Sequence, residues 1–139
     1  MNLTGYHSSM NTDKLNSLAD RLLEIPQQLS DLQLEILEKT QNSQEIANDL
    51  AEAEGALKVR IANEVDESGK KVYSNADARS AAFVELSADD EEIVSLNREQ
   101  KEIQAEIGKL KIDFDCVSNE QRNIRSILHF FAGRVAEDL

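Results

Sequence analysis

The chain has 139 residues, enough for one ordinary domain, with a formal net charge of −12, 30% charged residues, 4% aromatics, no Trp and one Pro. So few aromatics beside abundant Leu, Ile, Ala, Glu, Lys and Gln argue against a β-rich core and for long helices. The acidity disfavours nucleic acid and anionic membranes as average partners, while the regular apolar spacing below argues against a wholly disordered chain.

In chain order, residues 1–11 read as a flexible polar leader. Met1-Asn2-Leu3-Thr4-Gly5-Tyr6 has neither a basic nor an apolar stretch, so no signal peptide is expected. A first long helix is expected over 12–66, with Asn11 or Thr12 as its N-cap. Its apolar residues step by three and four: Leu15, Leu18, Leu22, Ile25, Leu29, Leu32 and Ile36, then, past Lys39 and Ser43, Ile46, Leu50, Ala53 and Leu57. This is the seam of a coiled coil, with a stutter through Ile61 and Val65. Pro26 removes a backbone hydrogen bond, which predicts a kink or break there.

Residues 67–74 form the expected turn, built on Ser68-Gly69. Ser74, with Asp77 behind it, predicts the N-cap of a short helix over 75–86. Ser87, followed by Ala88-Asp89-Asp90-Glu91-Glu92, predicts a bend and the start of a second long helix over 88–137. That helix carries the cleaner seam: Ile93, Leu96, Gln100, Ile103, Ile107, Leu110, Phe114, Val117, Gln121, Ile124, Leu128, Phe131 and Val135. Gln100 and Gln121 are its only polar members, and they either fix register or are merely tolerated. Gly108 either permits close helix approach or has no packing role.

Two long helices of matched length joined by a turn predict an all-α, antiparallel helical hairpin of coiled-coil type. A single hairpin buries one stripe per helix. Leu23, Leu34 and Leu37 on the first helix, with Val94, Ile112, Ile127 and Phe130 on the second, lie off the seam and call for a partner. Of these, Leu23, Leu34, Leu37, Ile112, Ile127 and Phe130 are the candidate oligomer interface. The expected assembly is a homo-oligomer, minimally a four-helix dimer, with a larger ring as the other solution.

Enzymatic chemistry has poor material here. There is no phosphate-binding Gly-rich loop, no Cys or His metal pair and no nucleophile motif, so no catalytic residue, metal or other cofactor is expected. Glu99, Glu106, Asp113 and Glu120 recur every seven residues and read as pairing and solubility chemistry. The single Cys116 rules out an internal disulfide and fits a reducing cytoplasm. It reads as a small apolar contact rather than a reactive thiol, since Asp113 and Asp115 stand close by. No apolar run suffices to span a bilayer.

Two basic groups stand against the acidic background: Lys70, Lys71 and Arg79 with Tyr73 near the turn, and Arg122, Arg125 and His129 on one helical face beside Phe130 and Phe131. Cations track phosphate and rings stack on bases, so these are candidate single-stranded nucleic-acid contacts. The competing role is pairing with acids across the hairpin.

Three segments carry a resemblance over about half the chain: Lys71-Val72-Tyr73-Ser74-Asn75 with Arg79, Leu86-Ser87-Ala88-Asp89-Asp90, and Leu110 to Phe131 around Arg122-Asn123-Ile124-Arg125-Ser126-Ile127-Leu128. In these the chain resembles phage recombination mediators of the UvsY type, and small phage and bacterial coiled-coil proteins of the same layout, though it is more acidic. The resemblance implies a ring-like helical oligomer that binds single-stranded DNA, helps displace single-strand-binding protein and loads a RecA-like recombinase. Lys70, Lys71, Tyr73, Arg79, Arg122 and Arg125 stand at the matching positions. Without that resemblance, the residues favour a non-enzymatic interaction or scaffold protein whose partners are copies of itself and another, basic protein.

Overall fold

The computed structural model describes residues 3–137, with side chains from Thr12 to Arg134. Its regular structure is helical, as expected: α1 (Leu3–Asn63), α2 (Ala76–Asp89) and α3 (Glu91–Glu137). The chain divides into two compact units. A terminal unit holds residues 1–37 and 108–139, and a turn unit holds residues 38–107.

The three-and-four spacing marks the inward face. Each α3 seam position from Ile93 to Phe131 is buried or half-buried, and so is each α1 seam position from Leu15 to Ile61, Lys39 and Ser43 included. Val135 falls outside the described side chains. In the terminal unit Ile25, Val117 and Ile124 form a buried cluster flanked by Leu18, Leu22, Leu29, Leu32 and Leu128. In the turn unit, ascending positions on α1 meet descending positions on α3. Lys39 pairs with Glu106, Ser43 meets Gln100 and Gln104, and Leu57 and Ile61 cluster with Ile93. That order is the antiparallel arrangement. α2 joins this end through Ala82, while Leu50, Ala53, Tyr73, Phe83 and Leu86 pack around the cluster. Burying each large aliphatic side chain contributes about 1.5–3 kcal/mol.

Several local boundaries differ from expectation, each for a local reason. α1 starts at Leu3, so helix runs through most of the segment read as a leader. Extension of a formed helix adds one hydrogen bond per residue, and Asn11 or Thr12 need not stop it. α1 also continues through Pro26. The ring leaves the Leu22 carbonyl without its helical donor, but Pro26 is exposed and water can reach that edge.

α1 ends at Asn63 rather than running to residue 66, and Val65, read as a seam residue, is exposed and bridges Lys71. The loop closes on itself. Asp66 N–H donates to the Lys70 carbonyl (2.8 Å), Gly69 N–H to the Asp66 carbonyl (3.0 Å) and Val72 N–H to the Glu64 carbonyl (3.0 Å). Gly69 has φ +84°, a left-handed conformation that glycine adopts without strain.

Asn75, not Ser74, caps α2, its side-chain oxygen accepting from Ala78 N–H at 2.8 Å. Ser87 lies inside α2, its hydroxyl donating to the Val84 carbonyl. The break falls at Asp90, whose extended backbone (φ −77°, ψ 115°) ends α2. Its carboxylate accepts from Ile93 N–H at 3.0 Å and so opens α3. Glu91 and Glu92 occupy the first turn, where negative charge is favoured.

One polar layer interrupts the turn-unit seam. Ser43, 6% exposed, accepts hydrogen bonds from Gln104 Nε2 (2.8 Å) and Gln100 Nε2 (3.1 Å). Gln100 Oε1 is buried with no hydrogen-bond partner. Rotating that amide gives Ser43 an acceptor but leaves the NH2 group without one.

Candidate interaction surfaces

A seam can hide only one side of each helix, so side chains one or two places beyond a seam position turn away from it. In the terminal unit, Leu23 (81% exposed), Leu34 (61%) and Leu37 (54%) occupy such places on α1. Ile112 (64%), Phe130 (58%) and Ile127 (39%) occupy the outer side of α3. The six candidate interface residues therefore form two outward faces, one per helix. In the turn unit the exposed large apolar residues are all valines: Val59, Val65, Val72, Val84 and Val94.

Two of the three basic residues near the turn, Lys71 and Arg79, have their side chains engaged locally. Lys71 Nζ donates to the Ala62 carbonyl at 3.0 Å, placing a cation at the C-terminal end of α1. Arg79 Nη1 reaches the Tyr73 carbonyl at 3.4 Å, and Tyr73 packs on the core cluster. Lys70 is exposed, and its backbone N–H donates to the Asp66 carboxylate at 3.0 Å. That carboxylate also takes the Ser68 hydroxyl (2.6 Å) and backbone N–H (2.9 Å). The Ser68 hydroxyl, followed by the Lys70 N–H, holds the Asp66 pKa below its ordinary value.

Arg122, Arg125 and His129 belong to the other unit and are exposed. Among the described residues, neither arginine side chain forms an ion pair. Further along α3, Phe130 and Phe131 meet edge to face with ring centroids 5.5 Å apart. Arg134 stands 5.8 Å from the Phe130 ring centre.

The heptad-spaced acids pair in part. Glu106 reaches Lys39 at 3.1 Å. Glu120 takes a two-pronged contact from Arg21, Nε to Oε1 at 2.6 Å and Nη2 to Oε2 at 2.9 Å. Arg21 Nη2 also donates to Gln28 Oε1 at 2.7 Å. The Arg21 hydrogen bonds lower the Glu120 pKa, and the same contact raises that of Arg21. Sequence reasoning missed Arg21. The signal was there in the acid row, since a carboxylate repeating along a seam edge asks which base stands opposite.

Other features are plain. Cys116 is exposed. A Cβ added at Gly108 would meet nothing within 4 Å, so close approach within the chain does not require that glycine. An open groove of about 410 Å3 by the α2–α3 junction is lined by Glu54, Ser87, Asn97, Arg98 and Lys101 among others. Among the described residues, no three His, Cys, Asp or Glu side chains gather as a metal site, and no helix is long and apolar enough to cross a membrane. No protein-family model, curated protein or solved structure matches the chain.

Proposed function

We propose that this chain is a non-enzymatic interaction protein that works in the cytoplasm as a self-associating helical scaffold. One observation carries the reading: six Leu, Ile and Phe side chains stand 39% to 81% exposed in the terminal unit. Apolar area removed from water is worth about 25 cal/mol per Å2, so residues of this size gain from a partner surface. The acidic remainder of the surface suits a basic protein as a further partner. The test is sedimentation velocity over a range of concentrations, with Leu34→Ser/Leu37→Ser as the comparison. Wild type sediments as an assembly, and the double variant shifts toward monomer with its helical circular dichroism unchanged. A wild type that is monomeric throughout overturns the reading.

A second reading, a single-stranded-DNA-binding recombination mediator, draws on the exposed Arg122 and Arg125 of α3 and on the resemblance of those segments to phage mediators. It predicts saturable, salt-sensitive binding of an unstructured oligonucleotide in fluorescence anisotropy, lost in Arg122→Ala/Arg125→Ala. An oligonucleotide that stays unbound at low salt sinks it.

A further inference from the structure

The two outer faces of the terminal unit differ in charge as well as in position. On α1, residues 12–37 carry five acids against two bases, and one of those bases, Arg21, is held by Glu120. The exposed acids Asp20, Glu24 and Asp31 lie among Leu23, Leu34 and Leu37, Glu24 standing 3.6 Å from Arg21 Nη1 with its side chain still 70% exposed. On α3, residues 108–134 carry five Lys and Arg against three acids, one of which is the engaged Glu120. Lys109, Lys111, Arg122 and Arg125 are exposed around Ile112, Ile127 and Phe130, with Asp113 and Asp115 as the remaining acids.

We infer that the α1 outer face of one copy docks on the α3 outer face of the next, leucines against Ile112, Ile127 and Phe130, with Asp20, Glu24 and Asp31 facing Lys109, Arg122 and Arg125. This rests on the self-association proposed above and specifies its geometry. Pairing α1 with α1 sets acids against acids, and α3 with α3 sets bases against bases. Only the unlike pairing matches charge while covering both apolar faces. Such a contact joins two different surfaces, and copies can make it reciprocally about a two-fold axis or head to tail. Made head to tail, it leaves a free face at each end until the rotation between neighbours closes a ring or an open filament grows.

Charge swapping tests it. One variant carries Asp20→Lys, Glu24→Lys and Asp31→Lys. The other carries Lys109→Glu, Arg122→Glu and Arg125→Glu. All six positions are exposed, and circular dichroism checks that each variant keeps its helix. A variant that loses it is replaced by the neutral set (Asp20→Asn, Glu24→Gln and Asp31→Asn, or Gln at the three basic positions). By mass photometry, each reversed variant loses the assembled species at a concentration where wild type is assembled, and mixing the two restores it. With neutral sets the expected result is loss of assembly alone. Variants that assemble as wild type does, or reversed variants that stay monomeric when mixed, overturn the α1-to-α3 contact and leave self-association standing. A monomeric wild type overturns both.

Discussion

The turn unit and the terminal unit use the same two helices and the same three-and-four spacing, yet they treat their apolar residues differently. In the turn unit α2 packs on Leu57, Ile61 and Ile93, and the larger exposed apolar residues are valines. The terminal unit has no third helix. Its Ile25, Val117 and Ile124 are flanked by leucines of the same two helices, and Leu, Ile and Phe side chains face outward. The turn unit completes a core from its own chain, whereas the terminal unit leaves Leu, Ile and Phe side chains exposed.

Truncation should break this comparison most sharply. Ile61→Ala in the turn unit is expected to cost about 2–5 kcal/mol in urea unfolding followed by circular dichroism. Leu23→Ala on the outer face should change monomer stability by less than about 0.5 kcal/mol. Equal costs at the two positions would mean that both units are cores of the same kind.

The polar layer sharpens the picture at the next level. Ser43→Ala leaves the Gln100 and Gln104 amides without their shared partner and should cost about 1–3 kcal/mol by the same assay. A neutral Ser43→Ala would show that the layer is solvated rather than dry.

The smallest effect is expected at Glu120. Its pKa is depressed by Arg21, so its contribution to stability is complete above the ordinary carboxylate range and is lost as pH falls through the depressed value. The urea midpoint of Glu120→Gln should lie slightly below that of wild type at neutral pH and converge with it in strong acid. A gap that persists in acid would assign the effect to packing instead.

Much of this fold was legible in the spacing, because a 3.5-residue repeat leaves one geometric solution for burial over many turns. That is why Lys39 and Ser43 lie inward although neither is apolar. Boundaries were less legible, since Ser74 and Asn75, or Ser87 and Asp90, are equally good caps in isolation and only the packed position of α2 selects between them. Val65 kept the period but was drawn into the turn by the bonds around Asp66 and Gly69. The outer faces were legible as residues but not as surfaces. The sequence shows six apolar side chains off the seam, and only the placement of each helix shows them parting into two faces.

The turn also bears on the order of assembly. Glu64 and Val72 meet across a short loop, whereas Arg21 and Glu120 close a contact 99 residues long. Loop-closure entropy rises with the length of chain enclosed, and each pairing that forms near the turn shortens the span left for the next. The hairpin should therefore close from its bend outward, like a zipper. The last stretch to close, and the first to reopen, is then the one that bears the outward leucines and Phe130, where chain connectivity holds the two helices together least.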